Sequence, residues 1–177
     1  MTRTDTCSGL VERTGRPSLE CLEHAAEHIA HDIYLLRHAW VDIDLRIGWT
    51  LWFVTARALM DFFFRYERRM DRKSGKYTDD ILAADYLPEG DWKPLAEMLR
   101  QEAPPEYTEC RLVANKLSAH LTYSRVHLAG ATPPSGAVHD YLFGVTGMWL
   151  DWLEPDRRAW FDRFLKPNGA VIPLGAP

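Results

Sequence analysis

The sequence lacks the features that mark several large classes of protein. Among its 177 residues are only 3 cysteines, with no Cys-x-x-Cys spacing, so neither a disulfide framework nor a zinc knuckle is predicted. This sparse use of cysteine fits a reducing cytoplasm. Residues 1–20 contain no apolar segment followed by small residues, so no secretory signal is predicted there.

Positive charge is not in excess either. The chain has 21 lysine and arginine residues against 25 acidic ones, which gives a formal net charge of −4. That balance disfavours a protein that coats nucleic acid or an anionic membrane, and it leaves room only for a local basic patch. Glycine and proline number 11 each, whereas 46% of the residues are hydrophobic and 12% aromatic. Such a composition predicts one globular domain with a sizeable core.

The most apolar stretch lies at residues 45–66 and is predicted to be the central helix of a bundle, because a helix that is apolar on every side belongs in a protein interior. Arg57 and Asp61 interrupt it, which leaves too few uncharged residues to span a bilayer, so a soluble cytoplasmic protein is expected. Burying either charge without a partner would be costly. The cation precedes the anion by four residues, the weaker order for a helical pair, so a third group is expected to meet them.

Apolar residues at steps of three and four predict further helices. The first is capped by Ser18 and runs to about Val41, and a tight turn at residues 42–44 leads into the central helix. That helix is predicted to continue through a basic segment, residues 65–76, as far as Gly75. The remaining predicted helices are a short one capped by Thr78 or Asp79, a short one capped by Asp91, one over about residues 106–123, one from Ser135 to about Leu153, and a last short one after Pro155.

No strand pattern of useful length and no repeat are found, so the predicted fold is all-α: a bundle of about four long helices with short helices inserted. Residues 1–17 are predicted to be a flexible N-terminal arm, residues 18–166 a single bundle domain, and residues 167–177 a C-terminal tail. Four tryptophans at helical spacing are expected in the core or at a dimer seam. They are Trp49, Trp52, Trp149 and Trp152.

A polar cluster in the segment NKLSAHLTYSR, residues 115–125, is the strongest candidate for chemistry. Its side chains can hold phosphate and move a proton. They are Asn115, Lys116, His120, Tyr123 and Arg125. If this helix packs on the central one, Asp61 can orient His120 as a carboxylate orients a base. The alternative is structural, with His120 a hydrogen-bonded core residue and with Arg57 and Asp61 forming a polar bridge between helices.

Two other patterns have solvated faces as their favoured interpretation. His24, His28 and His31 share one surface of the first helix with His38 further along, and imidazoles at that spacing can hold zinc or nickel. They lie away from the apolar stripe, however, and a metal site needs ligands from a second element, so no metal or cofactor is predicted. The basic segment at residues 65–76 can dock RNA, but such a segment is more often a solvated helix end.

Three segments, TARALMDFFF, DDILAADYL and NKLSAHLTYSR, resemble in the same order the recurring motifs of a group of uncharacterised bacterial all-helical proteins. That resemblance implies a helical fold but no activity. More remotely, residues 115–120 resemble the HEPN superfamily, whose nuclease members use an Arg, a following polar residue and a more distant His for metal-independent RNA cleavage. His120 matches the His, and Asn115 matches the polar residue.

The HEPN pattern is incomplete in this chain. Ala114 takes the place of the Arg, and Arg111 lies outside the spacing. This departure matters because the Arg would stabilise the negative charge that develops at the phosphate. Arg57 is a candidate to supply a guanidinium from the neighbouring helix.

The resemblance and the polar residues together predict an RNA-directed protein of the toxin or defence type, with RNA and an antitoxin as candidate partners. His120, oriented by Asp61, would act as general acid and base on a ribose 2′-hydroxyl. Arg57, Lys116 or Arg125 would steady the phosphate. The alternative is a non-catalytic module, a homodimer or an adaptor, in which the same residues form an interhelical network.

Overall fold

The computed structural model describes residues 11, 15–41, 46–78, 80–88, 90–119 and 134–165. Within these residues the chain forms α-helices and one 3-10 helix, joined by loops, and no β-strand beyond an isolated bridge between Met70 and Tyr77. The predicted all-α class is confirmed. The helices are α1 (Leu19–Val41), α2 (Arg46–Phe64), a 3-10 helix (Ala83–Tyr86), α3 (Trp92–Gln101), α4 (Tyr107–Ala119), α5 (Gly136–Trp152) and α6 (Pro155–Leu165).

Helix α2 is the centre of the fold, as predicted. It packs most extensively against α1 and α4, and it also contacts α3, α5 and the 3-10 helix. Its aromatic side chains fill the core: Phe62 and Phe63 meet the Trp149 ring edge-on at centroid distances of 5.1 and 5.7 Å, an arrangement that stabilises aromatic pairs. The expectation that α2 is buried on every side is wrong along one line, because Val54 and Ala58 are exposed one turn apart.

Helix α1 has the predicted bounds. The Ser18 hydroxyl oxygen accepts a hydrogen bond from the Cys21 backbone N–H at 3.2 Å, which satisfies a donor in the first turn. Most of the predicted apolar stripe is buried against the core, but Leu19 is 61% exposed because it precedes the first packed turn. The buried members are Leu22, Ala26, Ile29, Ile33 and Leu36. The turn predicted at residues 42–44 lies outside the described residues.

Helix α2 ends at Phe64, so the prediction that it continues to Gly75 is wrong. The cause is Arg68, which turns inward: its guanidinium donates hydrogen bonds to the Asp85 carboxylate and to the backbone carbonyls of Asp80 at 2.9 Å and Gly15 at 2.6 Å. Its side chain is only 8% exposed. These hydrogen bonds stabilise a non-helical backbone after Phe64. If the helix continued, it would carry the Arg68 side chain away from these partners.

The basic segment beyond Arg68 folds back as a tight turn. The Asp71 N–H donates to the Lys76 carbonyl at 2.8 Å, and the Gly75 N–H donates to the Asp71 carbonyl at 2.8 Å. Gly75 has a φ of 66°, a conformation that a residue without Cβ adopts at no steric cost. Gly75 is therefore the reversal point of a loop, in place of the predicted helix stop.

The later helices agree with the predictions in position but not in every cap. Ser135 caps α5, since its hydroxyl accepts from the Val138 N–H at 3.4 Å. Asp91 precedes α3 but makes no side-chain cap bond. The helix predicted from Thr78 or Asp79 is reduced to the 3-10 helix, where the Asp85 carboxylate accepts the Leu82 N–H at 2.7 Å.

The tryptophans divide between core and surface. Trp52 and Trp149 are fully buried, as predicted. Trp152 is 51% exposed, because the apolar stripe of α5 leaves the core at the last turn of the helix; a place at a dimer seam stays a prediction for this residue. Met148, one turn before it, is also exposed, so the end of α5 presents an apolar surface.

A buried histidine that the sequence pattern did not single out lies among these aromatics. His139 on α5 accepts a hydrogen bond at Nδ1 from the Trp52 indole N–H at 3.2 Å. Its ring stacks on Trp40 at a centroid distance of 4.6 Å. Burial lowers the pKa of His139 to about 4, so the imidazole is neutral at neutral pH and can accept that bond.

The cysteines differ from expectation. Cys21, in the first turn of α1, is disulfide-bonded, although the cysteine pattern predicted no disulfide framework. Cys110 on α4 is a buried free thiol, and burial raises its pKa.

Candidate functional site

Three arginines converge on the carboxylate of Asp61. Arg111 on α4 donates a hydrogen bond from Nη2 to Asp61 Oδ1 at 3.2 Å. Arg57 Nε and Arg65 Nη2 lie 4.0 and 3.9 Å from Asp61 Oδ2, distances that give Coulombic attraction without a hydrogen bond. The expected third group that meets Arg57 and Asp61 therefore exists, and it is a pair of guanidinium groups.

The cluster is neither sealed in the core nor fully solvated. The Asp61 side chain is 28% exposed and that of Arg57 is 33% exposed. Arg65 also pairs with the carboxylate of Asp80, which lies in the segment that follows the basic turn. Half-buried ion pairs of this kind are screened less than surface pairs but keep access to a ligand.

Packing at the start of α4 sets the position of Arg111. The buried Tyr107 ring meets the rings of Phe64 and Tyr141 at centroid distances of 5.8 Å each. Tyr141 is fixed in turn, because its hydroxyl donates to the Leu99 carbonyl at 2.6 Å. One turn after Tyr107, Arg111 reaches the exposed line of α2 and meets Asp61.

The cluster borders a groove of about 400 Å³ between α1, α2 and the segment at residues 80–82. The wall from α2 follows from its sequence spacing, because residues three or four apart share one face of a helix. Val54, Arg57, Ala58 and Asp61 line the groove from α2, and Arg65 lines it directly after the end of that helix. The other walls are both polar and apolar. They are formed by Ile29, Asp32, Phe62, Asp80, Ile81 and Leu82.

Asp32 is a groove residue that the sequence reasoning missed. It lies on α1 and is half-buried, and burial raises the pKa of its carboxyl group, while His31 and His28 lower it. Among the residues that the structure describes, no lysine or arginine forms an ion pair with it. A carboxylate in a groove with a raised pKa is a typical candidate for ligand binding or proton transfer.

The formal charges of the site balance, with three arginines and three aspartates. Arg57, Arg65 and Arg111 face Asp32, Asp61 and Asp80. Such a site is poorly suited to following a polyanion by charge alone. It suits a ligand that has both an anionic group for the guanidiniums and hydrogen-bond donors for a carboxylate.

The predicted residues on α4 are only partly placed. Asn115 and Lys116 lie in the described part of α4 and are exposed, away from its buried face. His120, Tyr123 and Arg125 lie outside the described residues, so the predicted approach of His120 to Asp61 stays a prediction. Arg111, which was set aside for its spacing, is the α4 residue that meets Asp61. One sequence signal could have identified Arg111: it lies next to the buried face of α4, which Tyr107, Cys110 and Ala114 form, and four residues before Asn115.

The basic segment divides into inward and outward side chains. The carboxylate of Asp85 holds Arg68 inside the fold, whereas Arg65 pairs with the partly exposed carboxylate of Asp80. The side chains of Arg69, Arg72, Lys73 and Lys76 are exposed on the turn. The segment is thus partly an internal clasp, and the expectation of a uniform solvated helix end is wrong.

The histidine row lies on the exposed face of α1, as its spacing indicated. The rings of His24 and His28 meet edge-on at a centroid distance of 5.8 Å. His28 and His31 also line a second void of about 400 Å³ with Tyr34 and Phe164. Within the described ranges, no group of three or more His, Cys, Asp or Glu side chains has the arrangement to hold a metal ion.

Comparisons with protein-family models, with curated proteins and with solved structures found no match to this chain. None of the helices in the described part is long and apolar enough to cross a membrane. Function is therefore argued from the geometry and chemistry of the groove, because a helical fold alone is compatible with many activities.

Proposed function

We propose that this chain is a HEPN-like helical protein that acts on RNA without a metal ion, of the toxin or defence type. The observation that carries the proposal is the convergence of three guanidinium groups at the edge of an open groove: those of Arg57 on α2, Arg65 directly after α2 and Arg111 on α4. Guanidinium groups bind phosphate oxygens through paired N–H donors. Asp61 and Asp80 hold two of these groups, Arg111 and Arg65, in fixed orientations by accepting one hydrogen bond from each.

In this proposal the arginines hold the scissile phosphate and His120 moves the proton. The imidazole removes the proton of a ribose 2′-hydroxyl, whose oxygen attacks the adjacent phosphorus. The P–O5′ bond breaks, the 5′-oxygen leaves with a proton from a general acid, and a 2′,3′-cyclic phosphate remains. Negative charge that builds up on the non-bridging oxygens is stabilised by the guanidiniums.

Arg57 is the guanidinium proposed to act with His120, as expected from the sequence. The Arg57 side chain is 33% exposed and lines the groove, so it is placed to bind a phosphate oxygen of a ligand there.

The test is cleavage of mixed single-stranded RNA by the purified protein in the presence of EDTA, beside the His120→Ala and Arg57→Gln variants. The proposal predicts cyclic phosphate ends from the wild type and a loss of about 100-fold or more in rate for His120→Ala. Equal cleavage by the wild type and His120→Ala, or none by either, would refute it.

A non-catalytic helical module is the second candidate, and a specific observation favours it. The buried Arg68 and Asp85 pair, and the pairing of Arg65 with Asp80, show that this chain uses ionic groups to join its elements. The exposed apolar end of α5, with Met148 and Trp152, suits a homodimer contact. This candidate predicts a dimer in sedimentation analysis that Trp152→Arg dissociates, together with no RNA binding.

A further inference from the structure

We propose that Asp32 reads the base of the nucleotide whose phosphate the arginines hold, and that the base it selects is guanine. The inference rests on the proposed RNA function and adds a base preference to it. Asp32 takes no part in the cleavage chemistry, and it lies on the α1 wall of the groove that Arg57 and Arg65 also line.

Asp32 is available to a ligand because the neighbouring charges are engaged elsewhere. Arg65 is paired with Asp80 and contacts Asp61, and Arg111 donates to Asp61. Asp32 itself forms no ion pair within the described ranges, although it is half-buried. A carboxylate that loses water without gaining a partner is unfavourable, so donors from a ligand would be strongly favoured there.

The surroundings of Asp32 fit a planar ring. Ile29, Val54 and Phe62 give the groove apolar surface beside the carboxylate, which can pack against the face of a base. The volume of about 400 Å³ is near the lower end of small-molecule pockets, which span roughly 300–1,000 Å³. It accommodates one nucleotide unit of a single strand and excludes a duplex.

Donor geometry selects guanine among the four bases. Guanine presents two adjacent donors, N1–H and the N2 amino group, which match the two oxygens of one carboxylate. Adenine and cytosine each present one amino donor next to a ring-nitrogen acceptor. That acceptor would face the second carboxylate oxygen, so only one hydrogen bond could form. Uracil presents one N–H between two carbonyls, so it too could donate only one hydrogen bond. This pairing requires the ionised carboxylate of Asp32, because only that form offers both oxygens as acceptors.

The test is fluorescence anisotropy with labelled hexauridylate and with the same hexamer carrying one central G, A or C, measured in the His120→Ala background to prevent cleavage. The G-containing strand is expected to bind about 5- to 150-fold more tightly than the other three, which is the discrimination of a good bidentate pair. Asp32→Asn is expected to move the preference from guanine to adenine or cytosine, because a carboxamide offers one donor and one acceptor. Glu27→Ala, an exposed acid on the same helix, is expected to keep the guanine preference.

The outcomes separate this inference from the function on which it rests. Binding of all four strands with equal affinity, or a guanine preference that survives Asp32→Asn, would overturn the role of Asp32 and leave RNA binding intact. Failure to bind any of the strands would overturn the proposed function together with the inference. Thermal melting of Asp32→Asn beside the parent protein shows whether the variant is folded.

Discussion

Replacing Arg68 with methionine tests the internal clasp that ends helix α2. Arg68 and Asp85 are 8% and 12% exposed, and removing one partner of a buried pair costs about 3–5 kcal/mol because the other charge is left without compensation. The carbonyls of Asp80 and Gly15 also lose their donor. Methionine keeps most of the aliphatic volume, so the loss comes from the polar contacts.

The assay is urea unfolding followed by tryptophan fluorescence and circular dichroism. With an m-value of about 2 kcal/mol/M, the midpoint of Arg68→Met is expected to fall by about 1.5–2.5 M urea, and the melting temperature by roughly 6–20 °C. Arg69→Met is the matched control, since Arg69 is the next residue, of the same type, and exposed. It is expected to change stability by less than about 0.5 kcal/mol. If both variants are equally mild, Arg68 is solvated and the account of how α2 ends is wrong.

Three further predictions concern the groove and the core. Asp61→Asn should lower stability by roughly 1–2 kcal/mol in thermal melts, because three partly exposed guanidiniums lose their shared anion at up to about 1 kcal/mol each; an unchanged melting temperature would argue against the cluster. Because the pKa of His139 is about 4 when folded and 6.5 otherwise, the unfolded chain holds an extra proton between those values. Stability should therefore be full above pH 6.5 and fall by up to about 3 kcal/mol towards pH 4, and His139→Asn, which keeps an acceptor for Trp52, should remove that dependence. RNA affinity should fall only about three- to sevenfold between 50 and 200 mM salt, as for one or two phosphate contacts on a single strand, whereas a fall of 100-fold or more would indicate an extended basic track.

Local signals in the sequence were sufficient for part of this fold. The bounds of α1 and α5 follow from apolar spacing and from the capping side chains of Ser18 and Ser135, all within a few residues of the helix ends they define. The end of α2 depends on Arg68, whose partners lie 12 to 53 residues away in the chain. No local argument about dipoles or glycine stops includes such partners.

Likewise, part of the candidate site follows from local sequence, and the rest follows only from the packing of distant segments. That Arg57 and Asp61 need a further partner follows from their order on the helix, but that Arg111 is the hydrogen-bonded one, 50 residues beyond Asp61, follows only from the packing of α4 on α2. Asp32 could not be singled out because the sequence shows it as one polar residue among exposed histidines. Its burial and its place in the groove arise when α1 meets α2.

The proposed function depends most directly on whether the arginines around Asp61 hold RNA. The measurement is the affinity of a single-stranded RNA for the Arg57→Gln and Arg69→Gln variants, each compared with the parent protein after melting has confirmed that both are folded. Arg57→Gln should weaken binding by about tenfold or more, as expected for a hydrogen bond to a charged group, and Arg69→Gln, on the exposed turn outside the groove, by less than about twofold. Equal losses in the two variants, or no loss in either, would contradict the account.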